Sequence, residues 1–283
     1  MLAERKMMGV IKIPIQDLNP IVKKNIKRTD VDWKIQLKEY EDIRKTFGNE
    51  IAFETILGLP GSTIDSFYDS YTVAKENDLS IVRYEWHFLP TAPAARKEYV
   101  EEHEIETVKI NPSVTASNTF TRKNVENKNE WMRDYGKKVL VSEIDYIEPE
   151  EIVVSTYSYT KEEWGEMWFM DKMIALGETN DYLSNITTYI EKKHGVVAGD
   201  FYKLMWNNFI CANEHLKGKQ LTIMQSLLKQ LSNKVNSGVT DQSFFFFEIP
   251  NCFIKDTTFR LVSALKYFVN INRYEFYNAI DSW

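Results

Sequence analysis

The chain has 283 residues, 35 Lys and Arg against 41 Asp and Glu for a formal net charge of −6, and a hydrophobic fraction of 43%. That length can bury a substantial core, and the composition excludes disordered, collagen-like and low-complexity classes. The acidic balance argues against bulk electrostatic binding to nucleic acid or an anionic membrane, and two cysteines, Cys211 and Cys252, cannot build a disulfide framework or a Cys-rich metal motif.

The first eight residues are charged and lack the apolar stretch of a signal peptide, and no window approaches a membrane span, so a cytoplasmic protein is expected. Gly9 to Ile15 alternates β-branched residues and predicts a strand. Asn19 and Pro20 then form a cap and a first helical residue. A second helix is expected over Trp33 to Phe47, ending near Gly48, followed by a buried strand over Ile51 to Leu59. After the turn Gly58-Leu-Pro-Gly61, the residues Ile64, Phe67, Tyr68 and Tyr71 recur with helical spacing up to about Asn77. Ser80 to Leu89 predicts a third strand, stopped by Pro90 and Pro93.

Strand and helix alternation with short connections predicts parallel βαβ units. Three such strands are evident and the alternation ends near residue 110, so the fold class is α/β, a partial (β/α) barrel of three parallel βα units with a mostly α-helical C-terminal domain. The expected organisation is 1–110 as partial barrel, 111–158 as extensions over it, and 159–283 as helical domain. Within the extensions, strands are expected at Val108 to Ile110, Val139 to Val141 and Ile152 to Tyr157, around a polar run from Thr121 to Asn129. The helices expected beyond are Glu162 to Leu176, Tyr182 to Lys193, Asp200 to Asn213, His215 to Val235 and Thr257 to Ile280. The run Phe244 to Phe247 is either a short buried strand or a partner-facing patch, and the cost of exposing apolar runs favours burial.

Ligands of parallel α/β folds sit outside the carboxyl ends of the strands. Gln16 ends the first strand, and Arg28 follows one short helix later, so its guanidinium can return to the same mouth. Glu54 lies in the second strand, and Ile56 can present backbone groups at the rim. An amide, a guanidinium and a carboxylate suit a zwitterion with a hydroxylated part: Arg for a carboxylate, Glu and Gln for hydroxyls. On spacing alone, surface charges on loops explain these residues better.

The segments Ile15-Gln-Asp-Leu-Asn-Pro20, Asn25-Ile-Lys-Arg28 and Glu54-Thr-Ile-Leu-Gly-Leu-Pro-Gly61-Ser-Thr63 resemble the second half of the radical S-adenosylmethionine (radical SAM) barrel. They are closest to the branch with an N-terminal cobalamin-binding domain. Phe88-Leu-Pro-Thr-Ala-Pro-Ala-Ala-Arg-Lys-Glu-Tyr99 and Ile152-Val-Val-Ser-Thr-Tyr-Ser-Tyr-Thr-Lys-Glu-Glu-Trp164 are similar to that branch as well. The resemblance implies that Gln16 and Arg28 contact the ribose and carboxylate of S-adenosylmethionine, that Glu54 adds polar contacts, and that the strand around Ile56 flanks adenine. It also implies a 4Fe-4S cluster, held in the family by a Cys-x3-Cys-x2-Cys loop, and cobalamin. This sequence has no such loop, and Cys211 and Cys252 cannot replace it. The family's Gly-Gly-Glu segment is missing too, and the sequence opens at what would be the helix before the fourth barrel strand. The expected function is therefore the C-terminal portion of a radical SAM enzyme, contributing S-adenosylmethionine and substrate contacts but inactive alone. Its partner would be a separately encoded N-terminal half docking against the first strand; a truncated reading frame is the other route. The competing expectation is a non-catalytic binding or assembly protein built on the partial barrel.

Weaker candidates have plainer explanations. Cys211 and His215 are one helical turn apart, yet two ligands are too few for a metal site. His87 either faces the active site or pairs with Glu85, and a satisfied structural histidine is the default. Gly58-x-x-Gly61-Ser-Thr lacks the Lys of a phosphate loop, Asn185-Ile-Thr187 matches a glycosylation acceptor without a secretory context, and Trp164, Met167, Trp168, Phe169 and Met170 suggest helix core.

Overall fold

The computed structural model describes residues 9–29, 31–110, 150–179, 183–210, 219–236, 246–248 and 258–260. Strand β1 (Ile11–Gln16) leads through α1 (Pro20–Asn25) and α2 (Trp33–Phe47) to β2 (Ile51–Leu57), then α3 (Ile64–Glu76) and β3 (Ser80–Glu85). The three strands form a parallel sheet in the order β1-β2-β3. The local chemistry follows the sequence. The Asn19 side chain accepts from the Ile21 amide with Pro20 in the first turn, and Asp32 caps α2, which ends at Gly48 in a left-handed conformation. A capping box between Thr63 and Ser66 starts α3.

Beyond β3 come α4 (Lys97–Glu102), β4 (Glu106–Ile110) and β5 (Glu150–Ser155), the last two paired antiparallel. The continuation of β3 meets β5 at a bridge between His87 and Ile152, flanked by the bonds Phe88 N–H to Glu151 O and Val153 N–H to Trp86 O. No sheet among the described residues closes on itself, and the fold is mixed α/β with a three-stranded parallel sheet and several helices.

Helices α5 (Lys161–Thr179), α6 (Ser184–His194), α7 (Ala198–Leu204) and α8 (Lys219–Asn236) follow, with a π turn over Met205–Ile210 where the sequence predicts uninterrupted helix. Phe246–Glu248 and Thr258–Arg260 form a small antiparallel pair, so the start of the helix expected from Thr257 is strand instead. The expected strand at Val139 to Val141, the polar run Thr121 to Asn129, the Cys211 and His215 pair, Cys252 and the remainder of the last expected helix lie outside the described residues.

Alternation along β1 and β2 places Ile11, Ile13, Ile15, Ile51 and Phe53 on one sheet face, buried against Leu37 and Ala74, with Trp33 meeting the Phe53 ring edge-on at 5.1 Å. Leu57, Phe67 and Tyr68 continue into a second core with Trp164, Met167, Trp168, Phe169 and Met170, so this cluster of α5 is core as expected. The opposite sheet face carries Lys12, Pro14, Glu54, Ile56, Val82 and Tyr84, of which Lys12, Pro14 and Tyr84 are exposed.

Candidate functional site

The carboxyl ends of β1 and β2 are shaped by a bulge. Ile13 pairs with Phe53 but Gln16 pairs with Thr55, so β1 carries one extra residue, and Gln16 takes a φ of 63°. The positive φ of this glutamine accompanies the bonds that its neighbour makes to the turn after β2. The next residue, Asp17, accepts from the Asn19 amide at 2.7 Å and from the Ser62 hydroxyl at 2.7 Å, while the Asn19 side chain donates to the Gly61 carbonyl at 3.0 Å. These bonds fasten the loop after β1 to the turn after β2. Asn25 and Ser158 strengthen the same junction, the first donating to the Pro60 carbonyl and the second accepting from the Gly61 amide. Burial pushes the Asp17 carboxyl up from its ordinary value, opposed by these hydrogen bonds and by the Arg83 charge.

Arg28 does return to the end of β1, where its guanidinium donates to the Pro14 carbonyl at 3.0 Å. In β1 the Ile11 amide bonds to Glu50 beside β2, so by alternation the main-chain groups of Lys12 and Pro14 face the outer edge. Pro14 has no N–H to offer there and Arg28 caps its carbonyl, which blunts that edge against a further strand.

Glu54 and Ile56 share the open sheet face. Glu54 forms an ion pair with Lys12 at 3.1 Å, and the Lys12 ammonium donates to the Tyr84 hydroxyl at 2.7 Å while lying 5.2 Å from the Tyr84 ring centroid. These bonds raise the Lys12 pKa, the Tyr84 hydrogen bond most, then that of Glu54. The structure thus brings Gln16 and Arg28 to one end of β1 and puts Glu54 in the adjacent strand, but engages Glu54 with Lys12. Behind the sheet, Asp17, Thr55, Ser62, Ser70 and Arg83 line a cavity of about 20 Å³, room for one water molecule.

A charged network between β3 and α5 escaped the sequence reading. Arg83 donates to Thr55, Tyr71 and Ser70 at 3.1, 3.3 and 2.7 Å, and lies over the Phe67 and Tyr71 rings. Lys172 bridges Asp171 at 2.9 Å and Glu85 at 3.2 Å, and the Trp168 indole N–H donates to Glu85 at 2.6 Å. Burial opposes ionisation of Glu85, but Lys172 and the indole N–H outweigh it and hold the carboxyl below its usual value. The signal available in the sequence was parity: Arg83 and Glu85 share the strand face of Ile81 and alternate with Val82 and Tyr84, and Asp171 and Lys172 interrupt the apolar run from Trp168 to Ile174. Glu85 thus has partners in Trp168 and Lys172, while His87 bridges Ile152. Asn185 is exposed on α6, whereas Thr187 is buried and bonded to Lys75.

No family model matches this sequence, and comparison with curated proteins finds no match. Among the described residues, no group of three or more His, Cys, Asp or Glu could hold a metal ion, and no helix is long and apolar enough to cross a membrane.

Proposed function

We propose that the chain supplies one wall of a radical SAM barrel of the cobalamin-dependent type, three parallel βα units that contact S-adenosylmethionine and substrate. The observation that carries this reading is the return of Arg28 to the end of β1, two residues before Gln16, with Glu54 and Ile56 on the open face of the neighbouring strand. A guanidinium, an amide and a carboxylate are groups that suit the carboxylate and ribose hydroxyls of that cofactor.

The iron–sulfur cluster does not fit the residues of this chain: two cysteines 41 positions apart cannot form the three-thiolate loop, so the cluster and cobalamin belong to regions other than these 283 residues. The chain alone then carries no reductive cleavage. Calorimetry with S-adenosylmethionine tests the reading. Weak binding that disappears in Arg28→Ala and Glu54→Gln supports it, and equal heats in wild type and both variants reject it.

The second reading, a non-catalytic binding or assembly protein, is favoured by the blunted β1 edge. A docked half-barrel would have to pair with a strand that offers Pro14 and a carbonyl already taken by Arg28. It is also favoured by the Lys12–Glu54 ion pair, which occupies the carboxylate that the enzyme reading reserves for hydroxyls.

A further inference from the structure

We draw no further inference here: the strongest candidate, the apolar cavity between α5 and α8 walled by Trp206, Leu228, Leu231 and Val235, carries nothing, because the Glu166 carboxyl at its side already accepts from the Tyr68 hydroxyl and nothing in the structure shows what covers the apolar wall.

Discussion

The Arg83 guanidinium lies 3.7 Å from the Asp171 carboxylate, with only 5% and 7% of the two side chains exposed. This pair ties the sheet to α5 from inside the core, so its energetics follow those of buried charges: attraction between the partners offsets a large desolvation cost, and either partner left alone is expensive. Asp171→Leu should therefore cost about 3–5 kcal/mol in chemical denaturation, since buried Arg83 and Lys172 would both lose a carboxylate partner. The double variant Arg83→Met with Asp171→Leu should recover much of that loss. Additive losses in the cycle would show that the two charges do not act as a unit.

The same region gives a pH dependence with two opposite signs. Glu85 is held below its unfolded value, so its contribution is present above about pH 4.3 and is lost as pH falls through the lower folded value. Lys172 is raised, with burial opposing and the Asp171 and Glu85 carboxylates prevailing, so its contribution is present below about pH 10.4 and is lost as pH rises through the folded value. Asp17 and Glu166 are raised chiefly by burial, so each favours the fold in its protonated form, and that contribution fades as pH rises through the folded value. Urea melts across pH should show Glu85→Gln losing more stability near about pH 7 than near about pH 3. Asp17→Asn, which keeps an acceptor for the Asn19 amide and a partner for Ser62, should lose least near about pH 7. The reverse order in either variant would contradict these assignments.

The parallel strands and first helices were legible because the local signals agreed. Asn19, Pro20, Thr63 and Gly48 each occupy the cap or stop that their chemistry favours, and Trp33–Phe47 is one helix in both readings. What stayed hidden depends on non-local geometry. The φ of 63° at Gln16 comes from Asp17 reaching Ser62, 45 residues away, and no window around Gln16 contains that information. Similarly, Lys12 meets Glu54 and Tyr84 only because three strands align, so the residue that modifies the candidate site most directly carried no motif. Arg28 donates to the Pro14 carbonyl, an edge contact that a ligand-based expectation does not foresee.

The turn after β2 offers a sharp stability test. Gly58 has a φ of 84°, and a Cβ there would stand 2.7 Å from the Tyr159 hydroxyl, which itself donates to the Gly58 carbonyl at 2.5 Å. Gly58→Ala thus combines an unfavourable backbone conformation with a clash and should cost about 2–4 kcal/mol. Tyr159→Phe removes the buried hydroxyl and should cost about 1–2 kcal/mol by leaving the carbonyl without that donor. Combining them should cost less than the sum, because removal of the hydroxyl makes room for the methyl group. Strict additivity in the melting curves would mean that backbone strain alone accounts for the glycine.

The outer edge of β1 supplies the prediction that bears most directly on what the sheet does. If Pro14 and Arg28 keep that edge closed, restoring its hydrogen-bonding groups should promote strand pairing between chains. Pro14→Val returns the missing N–H and adds a strand-favouring side chain, while Arg28→Ala frees the carbonyl. Sedimentation velocity should show greater self-association for each variant than for wild type, and the most for the pair together. Calorimetry with S-adenosylmethionine on the same proteins separates the two roles of Arg28: a cofactor contact predicts lost binding in Arg28→Ala but retained binding in Pro14→Val. Loss in neither variant, together with self-association in both, would assign Arg28 to edge protection and leave the assembly reading in possession of the site.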